Sequence, residues 1–181
     1  MVKNWYVVAG GPSSGKSTLI GQLAKLGYAT YPEAANILID QEMAKGRALE
    51  EIRADEAEFQ KRILDMQLEI ERNAPRDLIV FFDRGVPDGI AYYRLYGLNP
   101  DDFAKFCERG VYRKIFFCEQ LPFDKTRVRI EDAQTAEKLS RYLREAYESL
   151  DYPIVSLPAT SLIEDRVRIV LAEIEKIRST A

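Results

Sequence analysis

The chain has 181 residues, of which 46% are hydrophobic and 30% charged, and its formal net charge is -3. That balance suits one globular domain over residues 1–181 and supplies no overall basic field to attract nucleic acid. With no histidine and only two cysteines, the sequence excludes a histidine metal site, a Ser-His-Asp triad and a disulfide framework.

The run WYVVA (5–9) is apolar, aromatic and β-branched, a buried strand by pattern. It is too short to cross a membrane and carries no signal-peptide cleavage region, so neither a membrane nor export is expected. The loop GGPSSGKS (10–17) follows. STLIGQLAKLG (17–27) reads as a helix with Leu19, Leu23 and Leu26 on one side. YATY (28–31) is a second short strand, and Pro32 suits the first turn of a helix continuing to Gly46. A long helix runs from Asp55 to about Asn73, with Phe59, Ile63, Met66 and Ile70 at helical spacing, and Pro75 ends it. LIVFF (78–82) is the most strand-like run, and Asp83-Arg84-Gly85 follows it directly. Residues 87–97 and 100–110 read as short helices. KIFFC (114–118) and PIVSL (153–157) are strands. Between them a helix near 133–150 buries Ala136, Leu139, Leu143, Ala146 and Leu150. A last helix carries Ile163, Val167, Val170, Ile174 and Ile177. Five short apolar strands alternating with helices specify an α/β fold: a parallel sheet covered on both faces. Cys107 and Cys118 both lie in apolar surroundings and read as buried thiols of a reducing cytoplasm.

Residues 10–17 match G-x-x-x-x-G-K-[ST] between a strand and a helix, the context a phosphate-binding loop requires. Glycine lets the backbone turn its N–H groups onto phosphate oxygens, and the helix start adds its positive end. Gly11, Ser13, Ser14, Gly15 and Thr18 are therefore expected to cradle ATP. Lys16 is expected to reach the terminal phosphates and Ser17 to place its hydroxyl on Mg²⁺.

In an open α/β sheet the ligand lies at the carboxyl ends of the strands, which selects the residues that follow each one. Asp83 has two functional readings, Mg²⁺ ligand or base for a substrate hydroxyl, besides a simple turn cap. Arg84 reaches phosphates or pairs with a helix carboxylate. Glu33 either answers the dipole of its own helix or contacts an acceptor hydroxyl or its metal. Asp88 and Gln67 are assigned to the acceptor as well. Gln60 and Gln67, seven residues apart, share one helix face, where a solvated role is the alternative. Arg127 and Arg129 read either as one side of an exposed strand or as lid residues that bring charge to the transferred phosphoryl group.

The stretches GGPSSGKSTL, PEAA, FQKRILDMQLEIER, FFDRGVPDGIAYY and RVRIED…REAYESLDYPIVSLP…EDRV together resemble the small AAA-type ATP-binding domains related to the bacterial nicotinamide-riboside kinase domain, over about residues 3–175. The resemblance implies a three-layer P-loop fold with strand order 2-3-1-4-5 and a helical lid. It implies ATP and Mg²⁺ at Gly15, Lys16, Ser17 and Thr18, a catalytic-site role for Asp83, and a lid role for Arg129 with Glu131 two residues on. The chain departs from the family pattern at Thr126, where an acidic residue is usual, and at Asn36, where an arginine often stands. The expected activity is transfer of the ATP γ-phosphoryl group to a hydroxyl of a small molecule. The alternative is an ATPase or nucleotide-dependent switch acting on a protein partner. The acceptor and the oligomeric state are left open.

Overall fold

Alternation along the strands decides the architecture, because each central strand presents one apolar side chain after another to opposite faces. A computed structural model of the chain describes residues 3–121, 133–160 and 162–179. Its five strands are β1 (Trp5–Ala9), β2 (Ala29–Tyr31), β3 (Val80–Asp83), β4 (Lys114–Cys118) and β5 (Ile154–Leu157). They form one parallel sheet in the order β2-β3-β1-β4-β5.

The helices are α1 (Lys16–Lys25), α2 (Ala34–Ala44), α3 (Leu49–Ile52), α4 (Glu56–Asn73), α5 (Asp88–Leu95), α6 (Asp101–Ala104), α7 (Ala133–Glu148) and α8 (Ile163–Ser179). One sheet face, with Tyr6, Val8, Phe81 and Phe116, packs against Leu19 and Leu23 of α1 and Val170 and Ile174 of α8. The other, with Trp5, Val7, Phe82 and Phe117, packs against Ala91 of α5 and Leu139, Leu143 and Tyr147 of α7. Offset ring stacking links the three central strands: Tyr6 lies 5.4 Å from Phe81 and 5.8 Å from Phe116.

Several sequence expectations shift. Strand β3 begins at Val80 and includes Asp83, leaving Leu78 outside and 52% exposed. Its register follows β1, where Val8 pairs with Asp83, so ladder geometry overrides the apolar run. Leu26 lies past the end of α1 and is exposed. The helix expected over 100–110 is the single turn α6, α3 was not foreseen, and Leu150 lies beyond α7 and is partly buried. Cys118 is buried but Cys107 is only half-buried; both are free thiols, and burial raises them to about 11 and about 12, which keeps them unreactive. The expected lid residues Thr126, Arg127, Arg129 and Glu131 lie outside the described residues.

Gly89 of α5 carries the ring of Phe103 across its missing side chain. A Cβ there would stand 2.0 Å from Phe103 Cζ, and the ring is enclosed by Leu64, Val86 and Ile90. Gly89→Ala is therefore expected to cost about 1–3 kcal/mol through overpacking. Thermal unfolding reads this as a fall of roughly 2–4 °C per kcal/mol; an unchanged melting temperature would show that the ring moves aside freely.

Candidate functional site

The loop from Gly10 to Gly15 joins β1 to α1 by turning back sharply at the carboxyl edge of the sheet. Gly10 has φ +140°, and a Cβ there would lie 2.6 Å from the carbonyl oxygen of Cys118; only glycine fits. Gly11 and Ser14 are buried, whereas Ser13, in the left-handed region, Ser17 and Thr18 are exposed. Lys16 folds back over the loop, and its Nζ donates to the Gly11 carbonyl at 2.8 Å. Lys16 as a whole is 6% exposed. Burial foremost, and the neighbouring Arg84 next, pull its pKa down to about 8 despite Asp83 and Glu33.

Because β3 lies beside β1, Asp83 emerges next to this loop. The Ser17 hydroxyl donates to Asp83 Oδ2 at 2.8 Å, while Oδ1 is buried without a hydrogen-bond partner. Burial raises the Asp83 carboxyl above its ordinary value, against the pull of Lys16 and Arg84. A half-satisfied buried carboxylate beside a hydroxyl with free lone pairs is an oxygen-only donor set, and it fits a hard cation such as Mg²⁺. Among the described residues no cluster of three or more His, Cys, Asp or Glu could hold a metal by itself. Such a cation would take the rest of its oxygen shell from phosphate or water.

Arg84 follows with φ +75°, a left-handed conformation unusual for a side-chain-bearing residue. Its backbone is held by donation from Arg84 N to the Val8 carbonyl at 3.2 Å. The guanidinium bridges two carboxylates: Nε donates to Glu33 Oε1 at 2.7 Å and Nη1 to Asp88 Oδ2 at 3.2 Å. It also lies 5.4 Å from the Tyr92 ring. Burial would raise the Glu33 carboxyl, yet Arg84 and Lys16 hold it below its usual value, so it is ionised at neutral pH. Asp88 is raised by its burial, against Arg84 and the Tyr147 hydroxyl that donates to its Oδ1.

Beyond this cluster opens a cavity of about 190 Å³. Glu33, Arg84 and Asp88 line it, and Phe59, Tyr92 and Phe103 give it flat apolar walls. Gln60 and Gln67 line it too, and both are buried, so the solvated reading of these glutamines does not hold. The Gln67 amide has a fixed polarity. Its Nε2 donates to Glu71 Oε1 at 2.9 Å and to the Arg84 carbonyl at 3.4 Å. Glu71 in turn accepts from Tyr112 Oη at 2.6 Å, and Tyr112 accepts from Val86 N at 3.0 Å. Since a backbone N–H only donates and a carbonyl only accepts, this relay spends both amide hydrogens of Gln67 and leaves its carbonyl oxygen for the cavity. The glycine loop, Asp83, Glu33, Arg84, Asp88 and Gln67 are thus brought together.

Sequence reasoning missed Glu71, Tyr112 and Tyr147. It also missed two residues behind the loop, Gln120 and Arg166. Arg166 had a legible signal: it interrupts the apolar stripe Ile163, Val167, Val170 of α8. The hydroxyls of Tyr112 and Tyr147 had none, because the positions read as core.

Residues 5–166 match the model of a family described as the AAA domain. Comparison with curated proteins finds no match. Among solved structures, the chain is similar to the NadR protein in complex with NR at 21% identity and TM-score 0.69, covering 97% of this chain and 50% of that one. A deoxyadenosine kinase from M. mycoides with bound dATP aligns at 15% identity and TM-score 0.65, covering 94% and 99%. Thymidylate kinase from Ehrlichia chaffeensis aligns at 14% identity and TM-score 0.67, covering 94% and 97%. At these identities the likeness concerns the fold: a P-loop kinase-like sheet and its flanking helices. No described helix is long and apolar enough to cross a membrane.

Proposed function

This chain belongs to the AAA domain family, and on that premise we propose that it is an ATP-dependent kinase acting on a hydroxyl of a small, uncharged, nucleoside-like molecule. One observation carries the reading: a cavity with flat apolar walls is lined by an ionised carboxylate, Glu33, whose charge is felt by Lys16 of the glycine loop. A hydrolase needs room only for water. The solved kinases similar in fold act on, or hold, nucleosides and nucleotides by their names, which supports a ring-bearing acceptor.

The charge pattern favours an uncharged acceptor. The cavity's cations are already engaged, Arg84 by Glu33 and Asp88, and Arg53 by Glu56 at 3.3 Å and the Tyr96 hydroxyl at 2.7 Å. A monophosphate would meet the carboxylates of Glu33 and Asp88 with no unpaired cation among the described lining residues.

In this reading Gly11, Ser13, Ser14, Gly15 and Thr18 hold the phosphates, with Lys16 on the terminal ones. Ser17 and Asp83 hold Mg²⁺, which when bound neutralises charge on the β- and γ-phosphates. Glu33 orients the acceptor hydroxyl and takes its proton. The acceptor oxygen forms the new P–O bond as the bond to the β-phosphate breaks, and ADP leaves. Arg84, bridging Glu33 and Asp88, holds both carboxylates in place at the cavity. The Gln67 carbonyl oxygen accepts from an N–H or O–H of the acceptor. Arg127 and Arg129 are proposed to add charge from the lid. The compartment is the reducing cytoplasm, where ATP is available and free thiols persist.

³¹P NMR of ATP and Mg²⁺ with one pool of neutral alcohols and nucleosides, and another of nucleoside monophosphates, tests this. A phosphate monoester is expected from the neutral pool alone; a new anhydride from the monophosphate pool would overturn the uncharged-acceptor reading.

The depressed Lys16 ammonium gives a pH signature. Near pH 8.5 it is largely neutral without ligand, and phosphates placed against it restore the charged form. Binding of ADP at about that pH is therefore expected to take up most of one proton, and binding near pH 6.5 almost none from this group. Calorimetry in buffers of different ionisation enthalpy measures the uptake; equal values at both pH would contradict contact between Lys16 and phosphate.

A further inference from the structure

Arg166 of α8 is 1% exposed. Among the described residues it has no carboxylate partner. Its guanidinium is spent on backbone carbonyls: Nε donates to Pro158 at 2.8 Å, Nη2 to Glu119 at 2.9 Å, and Nη1 to Ser14. Glu119 and Pro158 are the residues directly after β4 and β5, and the Glu119 carboxylate is itself engaged by Arg144 at 2.7 Å. A buried cation offset only by carbonyl dipoles is costly by itself.

The third carbonyl explains its place. In a trans peptide the C=O and the following N–H point in opposite directions. Drawing the Ser14 carbonyl onto Arg166 therefore turns the Gly15 N–H to the other side of the loop. Gly15 is in the left-handed region at φ +85°, and a Cβ on it would lie 3.0 Å from Arg166 Nη1. Gln120 acts alike: its Nε2 donates to the Pro12 carbonyl at 2.9 Å, which turns the Ser13 N–H away from Gln120.

We propose that Arg166 is a positioning residue of the phosphate site. It sets the peptide after Ser14 so that the Gly15 N–H faces the phosphates, and it supplies a fixed positive charge behind the loop that a polyphosphate neutralises. Gln120 sets the Ser13 N–H in the same way. The proposal rests on the nucleotide-binding reading above.

The test compares MgATP and AMP binding by titration calorimetry in wild type, Arg166→Met, Arg166→Lys and Gln120→Leu. Arg166→Met is expected to lose on the order of 10- to 100-fold in MgATP affinity, with a smaller loss for AMP. Arg166→Lys, which keeps the charge but cannot span three carbonyls, recovers part of it. Gln120→Leu loses less than Arg166→Met. Arg166→Met binding MgATP as tightly as wild type, or losing MgATP and AMP equally, overturns the proposal; the second result marks a merely structural role. If Arg166→Met does not fold, ¹⁵N-arginine NMR of the wild type decides. The Arg166 Nε–H resonance is expected to shift with MgADP and not with adenosine, and an unmoved resonance at saturating MgADP overturns the proposal. Absence of MgATP binding by the wild type overturns this proposal and the nucleotide reading together.

Discussion

Lys16→Met is expected to abolish phosphoryl transfer, lowering turnover by about 10²-fold or more, while making the ligand-free protein more stable. The first effect follows from removing a charge that serves the terminal phosphates where transfer occurs. The second follows from burial. Folding takes the Lys16 ammonium from its ordinary value of 10.5 to about 8, so in that interval the unfolded chain binds more protons than the folded one. Stability contributed by this group therefore rises as pH goes from about 8 to 10.5, and at neutral pH the buried cation costs on the order of 3 kcal/mol. Methionine is similar in volume and apolar, and the single bond lost to the Gly11 carbonyl offsets only part of the gain. Thermal unfolding at pH 7 and at pH 10 checks the pair of claims: Lys16→Met melts higher at pH 7, and the difference narrows at pH 10. A folded variant with full activity would remove the phosphate-loop assignment.

Asp83→Asn and Glu33→Gln are expected to fail in different ways. Asp83 is held by the Ser17 hydroxyl and has an unpartnered oxygen beside the loop, whereas Glu33 lines the cavity. Asp83→Asn should weaken Mg²⁺-dependent ATP affinity on the order of 10- to 100-fold, with binding of metal-free ATP little changed. Glu33→Gln should leave MgATP affinity intact and lower kcat on the order of 10²-fold, the low end for a general base because the transition state is loose. Calorimetry with and without EDTA, paired with turnover, separates them. If Asp83→Asn keeps its metal-dependent affinity and loses transfer alone, Asp83 is the base and Glu33 only anchors Arg84.

The parts legible in the sequence are those governed by local chemistry. The apolar runs at 5–9 and 114–118 became central strands, and the glycine loop stands where its strand-to-helix context placed it. Glu33, Asp83 and Asp88 converge because each ends a strand or follows one closely, and parallel strands share one carboxyl edge. The tertiary pairings were not legible. From sequence Arg84 reads as reaching phosphates or pairing with a helix carboxylate, and in the fold it bridges two from different segments, Glu33 and Asp88. Gln67 reads either as an acceptor contact or as a solvated helix residue, and the relay that fixes its amide needs Tyr112, 45 positions later in the chain, folded against Glu71. Such contacts depend on packing between helices, and no local period encodes them. Likewise, Leu78 is strand-like in composition yet exposed, because pairing with β1 starts two residues later.

Following the γ-phosphoryl group of labelled ATP bears most directly on the central claim. Wild-type protein, Mg²⁺ and γ-labelled ATP are incubated with pooled neutral alcohols and nucleosides, and the products are separated by charge and mass. A kinase with the cavity described here transfers label into an organic monoester in at least one pool, and Lys16→Met does not. Label appearing only as inorganic phosphate in every pool would contradict the account and favour hydrolysis coupled to a protein partner.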